Sequence, residues 1–204
     1  MTRNPDRLVL FSDAVVAIAV TLLILPLVEV VTESQAEGLS AQEMISDNWP
    51  QLLSFLLSFA VISRFWLTHH AIFEHVKAYD PRLMQLNILW LLCIVVLPFP
   101  TEIVGVYAST KFTAALYIGT LLALSICQLG LMLLIRNHKE LEDEANPISP
   151  RLVSGAYTFT GLALVAFLLA AFVPRVKFYA LLLLILTAFD GVIQRFSRKS
   201  AQKA

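Results

Sequence analysis

Three ionisable side chains of this 204-residue chain fall inside strongly apolar runs: Asp13, Arg64 and Asp190. An ionisable group within a membrane span costs about 2.5–3.5 kcal/mol on insertion scales, so each needs a partner or a function. Asp190, followed by Gly191 and close to Arg195, reads as a helix-end charge that pairs locally or reaches the interface. Asp13 reads differently. Ser12 precedes it and Thr21 follows about two turns later, in a run that is otherwise apolar from Leu8 to Leu25. Its expected partners lie in Phe65-Trp66-Leu67-Thr68-His69-His70-Ala71-Ile72-Phe73-Glu74-His75. Clustered histidines suggest a metal or a haem. Yet His70 and Glu74 do not form His-Glu-x-x-His, and no second cluster completes four ligands, so no metal and no cofactor are expected. His69 and His70 are expected instead to anchor Ser12 or Asp13 by hydrogen bonds, because a polar group in hydrocarbon must find a partner. No glycine-framed serine and no serine–histidine spacing points to nucleophilic catalysis, so the chain is not expected to be an enzyme.

The elements that must position these residues follow from composition. The chain is 58% hydrophobic and 15% charged, against about 45–50% and about 25% in an ordinary soluble domain. Fifteen Lys plus Arg balance fifteen Asp plus Glu, leaving no basic field for nucleic acid. Cys93 and Cys127 both lie in apolar runs, which excludes a disulfide-stapled scaffold. The expected class is an all-α integral membrane protein, one six-span domain over residues 1–204. A crossing helix needs roughly 20 apolar residues, and the spans are read at 8–30, 49–76, 81–107, 110–136, 150–173 and 178–196. Asn4-Pro5, Asp80-Pro81 and Ser149-Pro150 are cap-then-proline helix starts. Pro98-Phe99-Pro100 should kink the third span. The stretches 32–48 and 137–149 read as loops with room for a turn of helix. Unbroken runs such as 180–186 do not fit the alternating strands of a membrane barrel. Residues 1–30 are not expected to be a cleaved signal, because Asp13 interrupts the apolar stretch and no small-x-small site follows.

Lys and Arg in short loops set orientation. With six spans both termini share a side, and that side collects Arg3, Arg7, Lys77, Arg82, Arg136, Lys139, Arg151, Arg195, Arg198, Lys199 and Lys203. The other side has Lys111, Arg175 and Lys177, so both termini are expected in the cytoplasm. The outer first loop carries Glu33, Glu37, Glu43 and Asp47 with no basic residue. At about 100° per residue, Ile18, Thr21, Leu22, Leu25 and Glu29 share one face of the first span, with Asp13 on the opposite flank. Periodicity alone assigns such an aliphatic stripe to helix packing, and Pro26 leaves the register beyond it open.

The first span opens with Arg7-x-x-x-Phe11-Ser12-Asp13, and this element resembles the hallmark of the transmembrane protein 175 family of potassium channels. Residues 14–23, Phe65-Trp66-x-x-His69-His70, Asp80, Leu86-Asn87 and Pro98-Phe99-x-Thr101 are similar to the family's first three helices. The resemblance covers roughly Arg7 to Tyr107. It implies a potassium-preferring channel assembled as a homotetramer in the cell membrane, with the first helix of each chain lining a central pore and no Thr-Val-Gly-type filter loop. It further implies that Ile18 forms the narrowest hydrophobic constriction, a hydrophobic gate, that Leu22 and Leu25 form further apolar layers, and that Thr21 supplies the hydroxyl layer linked to potassium preference. Ala17 stands where some members have a serine, so any hydroxyl selectivity would rest on Thr21. Glu29 would sit at the outer mouth. Arg7, Phe11, Ser12, Asp13, Trp66, His69, His70 and Asn87 would hold the pore helix in place. The alternative is an ion- or proton-coupled transporter using Asp13 and His69/His70 as relay groups; no visible inverted repeat supports it.

Overall fold

The computed structural model describes residues 4–107 and 110–172. The sixth span expected at 178–196, with Asp190, lies outside the described residues. The regular elements of the described residues are helices: α1 (Asp6–Leu22), α2 (Leu25–Ala36), α3 (Ala41–Asp47), α4 (Trp49–Phe73), α5 (Pro81–Val96), α6 (Pro98–Val106), α7 (Lys111–Asn137) and α8 (Pro150–Phe172). Among the described residues five stretches are long and apolar enough to cross a membrane: Asp6–Ala36, Trp49–Phe73, Pro81–Val106, Lys111–Asn137 and Pro150–Phe172. This is the architecture of an all-α, multi-pass membrane protein.

α1 and α2 form a single span tightened at Leu23–Ile24, where both residues keep right-handed helical dihedrals. Pro26 has no N–H for the carbonyl of Leu22, and the turn closes instead through Ile24 N–H to the Thr21 carbonyl at 3.4 Å. The helix runs past the expected end, to Ala36. It stops at Gly38, whose φ of +73° suits only a residue without a Cβ. Leu39 N donates to Ser34 O at 3.0 Å and Gly38 N to Gln35 O at 3.1 Å, the paired bonds of a Schellman end. The polar stretch 32–48 is therefore not a loop throughout; it holds the end of α2 and all of α3. Ser40 and Glu43 build a capping box for α3, with Ser40 N donating to Glu43 Oε2 at 2.8 Å and Glu43 N to Ser40 Oγ at 3.3 Å. The Ser40 hydroxyl, and then its backbone N–H, hold the Glu43 carboxyl below its ordinary range.

The proline starts behave as their chemistry dictates. Asp80 accepts from Leu83 N at 2.8 Å with Pro81 in the first turn of α5, and Pro98 opens α6 after a turn at Leu97. α4 stops at Phe73, short of the expected residue 76, because residues 75–77 pair with another linker. Lys77 N donates to Leu141 O at 2.9 Å and Asp143 N to His75 O at 2.8 Å, with Val76 bridged to Glu142. His75 Nδ1 meets Asn146 O at 2.7 Å, and the Lys77 ammonium lies 3.7 Å from Glu144. The α4–α5 and α7–α8 linkers thus clasp one another.

α7 is the enclosed centre. It lies between α5 and α8, and Ile118, Leu124, Leu131, Met132 and Ile135 are wholly buried along it. Two glycines let its neighbours close in: a Cβ on Gly130 would come within 3.2 Å of Leu86 on α5, and one on Gly119 within 3.1 Å of Phe167 on α8.

Candidate functional site

α1 has two unlike faces. Leu8, Ser12, Val16, Ala19 and Leu23 are buried against α4 and α5, at spacings of one helical turn. Ser12 is where the polar contact is made. Its hydroxyl donates to Leu8 O at 2.8 Å, inside the helix, and accepts from Asn87 Nδ2 at 2.8 Å. Asn87 Oδ1 in turn lies 2.7 Å from His69 Nε2. Since an amide oxygen only accepts, Nε2 carries the proton. The His69 ring is stacked between Trp90 at 4.1 Å and Phe73 at 4.4 Å between centroids. Ser12, Asn87 and His69 are all buried. One turn along α4, Trp66 Nε1 donates to Asp13 Oδ1 at 2.8 Å. α1 is bolted to α4 and α5 by a chain of hydrogen bonds in which every link has its partner.

The opposite face is bare. Ile18 is 61% exposed, Leu22 40% and Leu25 51%. Arg7, Ala14, Thr21, Val28 and Glu29 continue the same exposed stripe. The helix keeps its register through Pro26, so Leu25 and Glu29 stay in line with Ile18. Thr21 Oγ1 donates to Ile18 O at 2.8 Å, so its one proton is committed to the backbone and its lone pairs remain available outward.

The expected site residues therefore divide. Ser12, Asp13, Trp66, His69 and Asn87 are brought together. Ile18, Thr21, Leu22, Leu25 and Glu29 share a surface that none of the described helices of the chain covers. His70 is outside the anchor: its side chain is half exposed, 3.9 Å from Glu74 and beside the Trp66 ring. Arg7 and Phe11, expected to anchor, are exposed as well, Phe11 at 56%. Their place in the motif says little of contact, because one step along a helix turns a side chain by 100°; Leu8 and Ser12 hold the helix instead. Arg64 donates to Thr68 Oγ1 at 3.1 Å on its own helix. Among the described residues no group of three His, Cys, Asp or Glu could hold a metal ion.

Sequence reasoning passed over the aromatic clamp on His69, although Phe73 stands one turn after it and Trp90 three residues after Asn87. It also missed a second buried polar knot. Ser58 Oγ lies 3.0 Å from Tyr117 OH and 2.8 Å from Thr101 Oγ1, which is itself 2.8 Å from Leu97 O. That knot ties α4, α6 and α7 together beside the kink before Pro98. The hydroxyls are 16 to 59 positions apart along the chain, so no local spacing betrays them.

Residues 7–98 match the sequence model of the family described as "Endosomal/lysosomal potassium channel TMEM175". A potassium channel of Chamaesiphon minutus is 36% identical over 123 residues, 59% of this chain and 60% of that protein. A potassium channel of Streptomyces collinus is 34% identical over 124 residues, 59% of each. The matched region thus spans about three fifths of the length of these curated relatives. The crystal structure of a lysosomal potassium-selective channel TMEM175 homologue from Chamaesiphon minutus superposes with a TM-score of 0.69 at 28% identity, over 94% of this chain and 96% of that one. The anchor residues Ser12, Asp13, Trp66, His69 and Asn87 all fall inside the matched 7–98, and the fold extends the likeness to nearly the whole length. The chain is thus similar to the TMEM175 family, in sequence over residues 7–98 and in fold over nearly its whole length.

Proposed function

We propose that this chain is the subunit of a potassium-preferring cation channel, with residues 1–204 acting as one six-span domain in the cell membrane and both termini in the cytoplasm. Four chains form a homotetramer in which the α1 stripes face a common axis. The observation that carries this reading is the division of α1 into a bolted back and an uncovered front. A pore helix needs that arrangement: its back must be held by its own subunit, and its front must be left for symmetry mates and ions.

On the axis, four Ile18 side chains exclude water and close the path by dewetting, with Leu22 and Leu25 as further apolar layers. A small dilation of the four helices admits a partly hydrated cation. Four Thr21 oxygens, their protons held by Ile18 carbonyls, then replace some hydration oxygens and favour the ion that dehydrates more cheaply, potassium over sodium. Glu29 raises the local cation concentration at the outer mouth and disfavours anions.

The test is flux through purified protein in liposomes under potassium, sodium and chloride gradients. Potassium flux above sodium, with chloride excluded, is the expected result. Saturating, turnover-like rates or proton coupling would replace the channel with a transporter. Cross-linking in mild detergent supplies the second check, since a pore lined by one helix per chain cannot exist in a monomer.

A further inference from the structure

Glu102 is a further ionisable side chain inside a membrane-crossing stretch, Pro81–Val106, on the short helix α6 beyond Pro98. A carboxylate there carries the same kind of insertion cost as Asp13, and it too needs a partner or a function. Among the described residues its hydrogen-bonded partner is the Gln51 carboxamide, whose Nε2 donates to Glu102 Oε1 at 3.5 Å. That is longer than the usual N–H···O range of about 2.7–3.2 Å, and the side chain stays partly exposed. Gln51 alone does not answer the charge.

Its neighbours on α6 fix where it points. Thr101, one residue before it, lies 2.8 Å from Ser58 Oγ on α4, and Ser58 in turn meets Tyr117 of α7. Gly105, three residues after it, presses on α4 so closely that a Cβ there would come within 3.1 Å of the Gln51 side chain and 2.7 Å of Ser54 Oγ. Positions three apart share a helix face, so Glu102 is turned along the α4 side of α6, beside Gln51. α6 also touches α1, and Glu29 stands further along that same span, on α2 at the end of the bare stripe. The two carboxylates are close enough for the Glu29 charge to act on Glu102.

Among the described residues neither Glu29 nor Glu102 forms an ion pair. Free to move, two like charges would separate. Here the hydroxyl knot and the Gly105 contact hold one of them on α6, and the unbroken register through Pro26 holds the other on α2. Charges of one sign fixed side by side against low-dielectric walls focus their field and raise the local concentration of counter-ions. The counter-ions of a carboxylate pair are cations, and the place is the outer end of the stripe from Ile18 to Glu29.

We propose that Glu102 is a second determinant of cation supply to the channel, acting with Glu29 to set the negative potential at the outer mouth. This role rests on the reading of the α1 stripe as a pore face. Glu102 works at a distance, through its field, and enriches hydrated monovalent cations before they meet the apolar layers.

The experiment measures potassium flux through the full chain in liposomes at ionic strengths of about 0.01 M and about 1 M, where the Debye length is about 30 Å and about 3 Å. Glu102→Gln should lower flux about two- to threefold at the lower ionic strength, and the deficit should vanish at the higher. Glu102→Asp, which keeps the charge, should follow the parent. Glu140→Gln, exposed on the α7–α8 linker at the other end of the bundle, should follow the parent as well. Ile18→Asn in the same liposomes separates the two readings. If it raises flux while Glu102→Gln leaves low-salt flux unchanged, the pore face stands and the role of Glu102 falls. If Ile18→Asn is also without effect, both fall. A Glu102→Gln deficit that persists at about 1 M, or an equal deficit in Glu102→Asp, overturns the proposal too, because a purely structural role does not respond to screening.

Discussion

α1 and α7 are both apolar enough to cross a bilayer, yet half of the most apolar window of α7 is buried inside the chain and only 22% of that of the first span. Hydropathy does not separate them. What separates them is where small and polar residues fall. α7 places Gly119 and Gly130 where α8 and α5 press closest, and covers its remaining faces with Leu, Ile and Met. α1 concentrates Ser12, Asp13 and Ala19 on one side, so that side alone is drawn in. The lesson is that in a membrane, where lipid tails are as apolar as leucine, enclosure follows from close approach and hydrogen bonds. A greasy helix without them on a given face stays uncovered there.

The sharpest way to break this contrast is the same truncation on both helices. Leu131→Ala, wholly buried on α7, should cost about 2–5 kcal/mol through lost contacts and the cavity left behind. Leu22→Ala, on the uncovered face of α1, should cost the isolated subunit well under about 1 kcal/mol. Thermal or chemical denaturation in detergent reads both. Equal losses would mean that the stripe is covered within the subunit.

Asn87→Leu tests the bolt. It removes the one side chain that satisfies both Ser12 and His69, leaving buried polar atoms unpaired at about 1–3 kcal/mol each. The expected result is a lower Tm and a lower yield of assembled protein. Trp66→Phe should do less, because it releases only Asp13, which is not fully buried. If Asn87→Leu were neutral, the polar chain would not be what holds α1 back.

Much of this arrangement was legible beforehand, for identifiable reasons. Asp80-Pro81 and Ser149-Pro150 mark helix starts because proline fixes φ and lacks a donor that the first turn does not need. The stripe from Ile18 to Glu29 follows from 3.6-residue periodicity, and it survives Pro26 because a proline in the first turn of α2 leaves the dihedrals helical. Other features were not legible. Whether His69 or His70 turns inward depends on Trp90 and Phe73, which clamp one ring and not the other. The linker clasp joins backbone groups more than 60 residues apart, and backbone pairing leaves no trace in side-chain pattern. The capping box of α3 was readable as Ser40-x-x-Glu43, but a search keyed to apolar runs passes over a seven-residue polar helix.

The bare face invites functional variants whose effects shrink along its length. Ile18→Asn should wet the seal and raise ion flux in liposomes several-fold, with little change in Tm because the side chain is 61% exposed in the subunit. Thr21→Ala is the subtler change. Its hydroxyl already spends its proton on Ile18 O, so removing it leaves no buried donor unsatisfied and should not disturb folding. What is lost is one acceptor oxygen per chain, about 0.5–1.5 kcal/mol for a single hydrogen-bonding group, or about two- to tenfold in potassium over sodium permeability. Conduction itself should persist, since the apolar layers that set the closed state are untouched. Reversal potentials under mixed potassium and sodium gradients measure the ratio. If Thr21→Ala and Ile18→Asn both left flux and ratio unchanged, the uncovered face of α1 would belong to the lipid, and the contrast with α7 would describe packing alone.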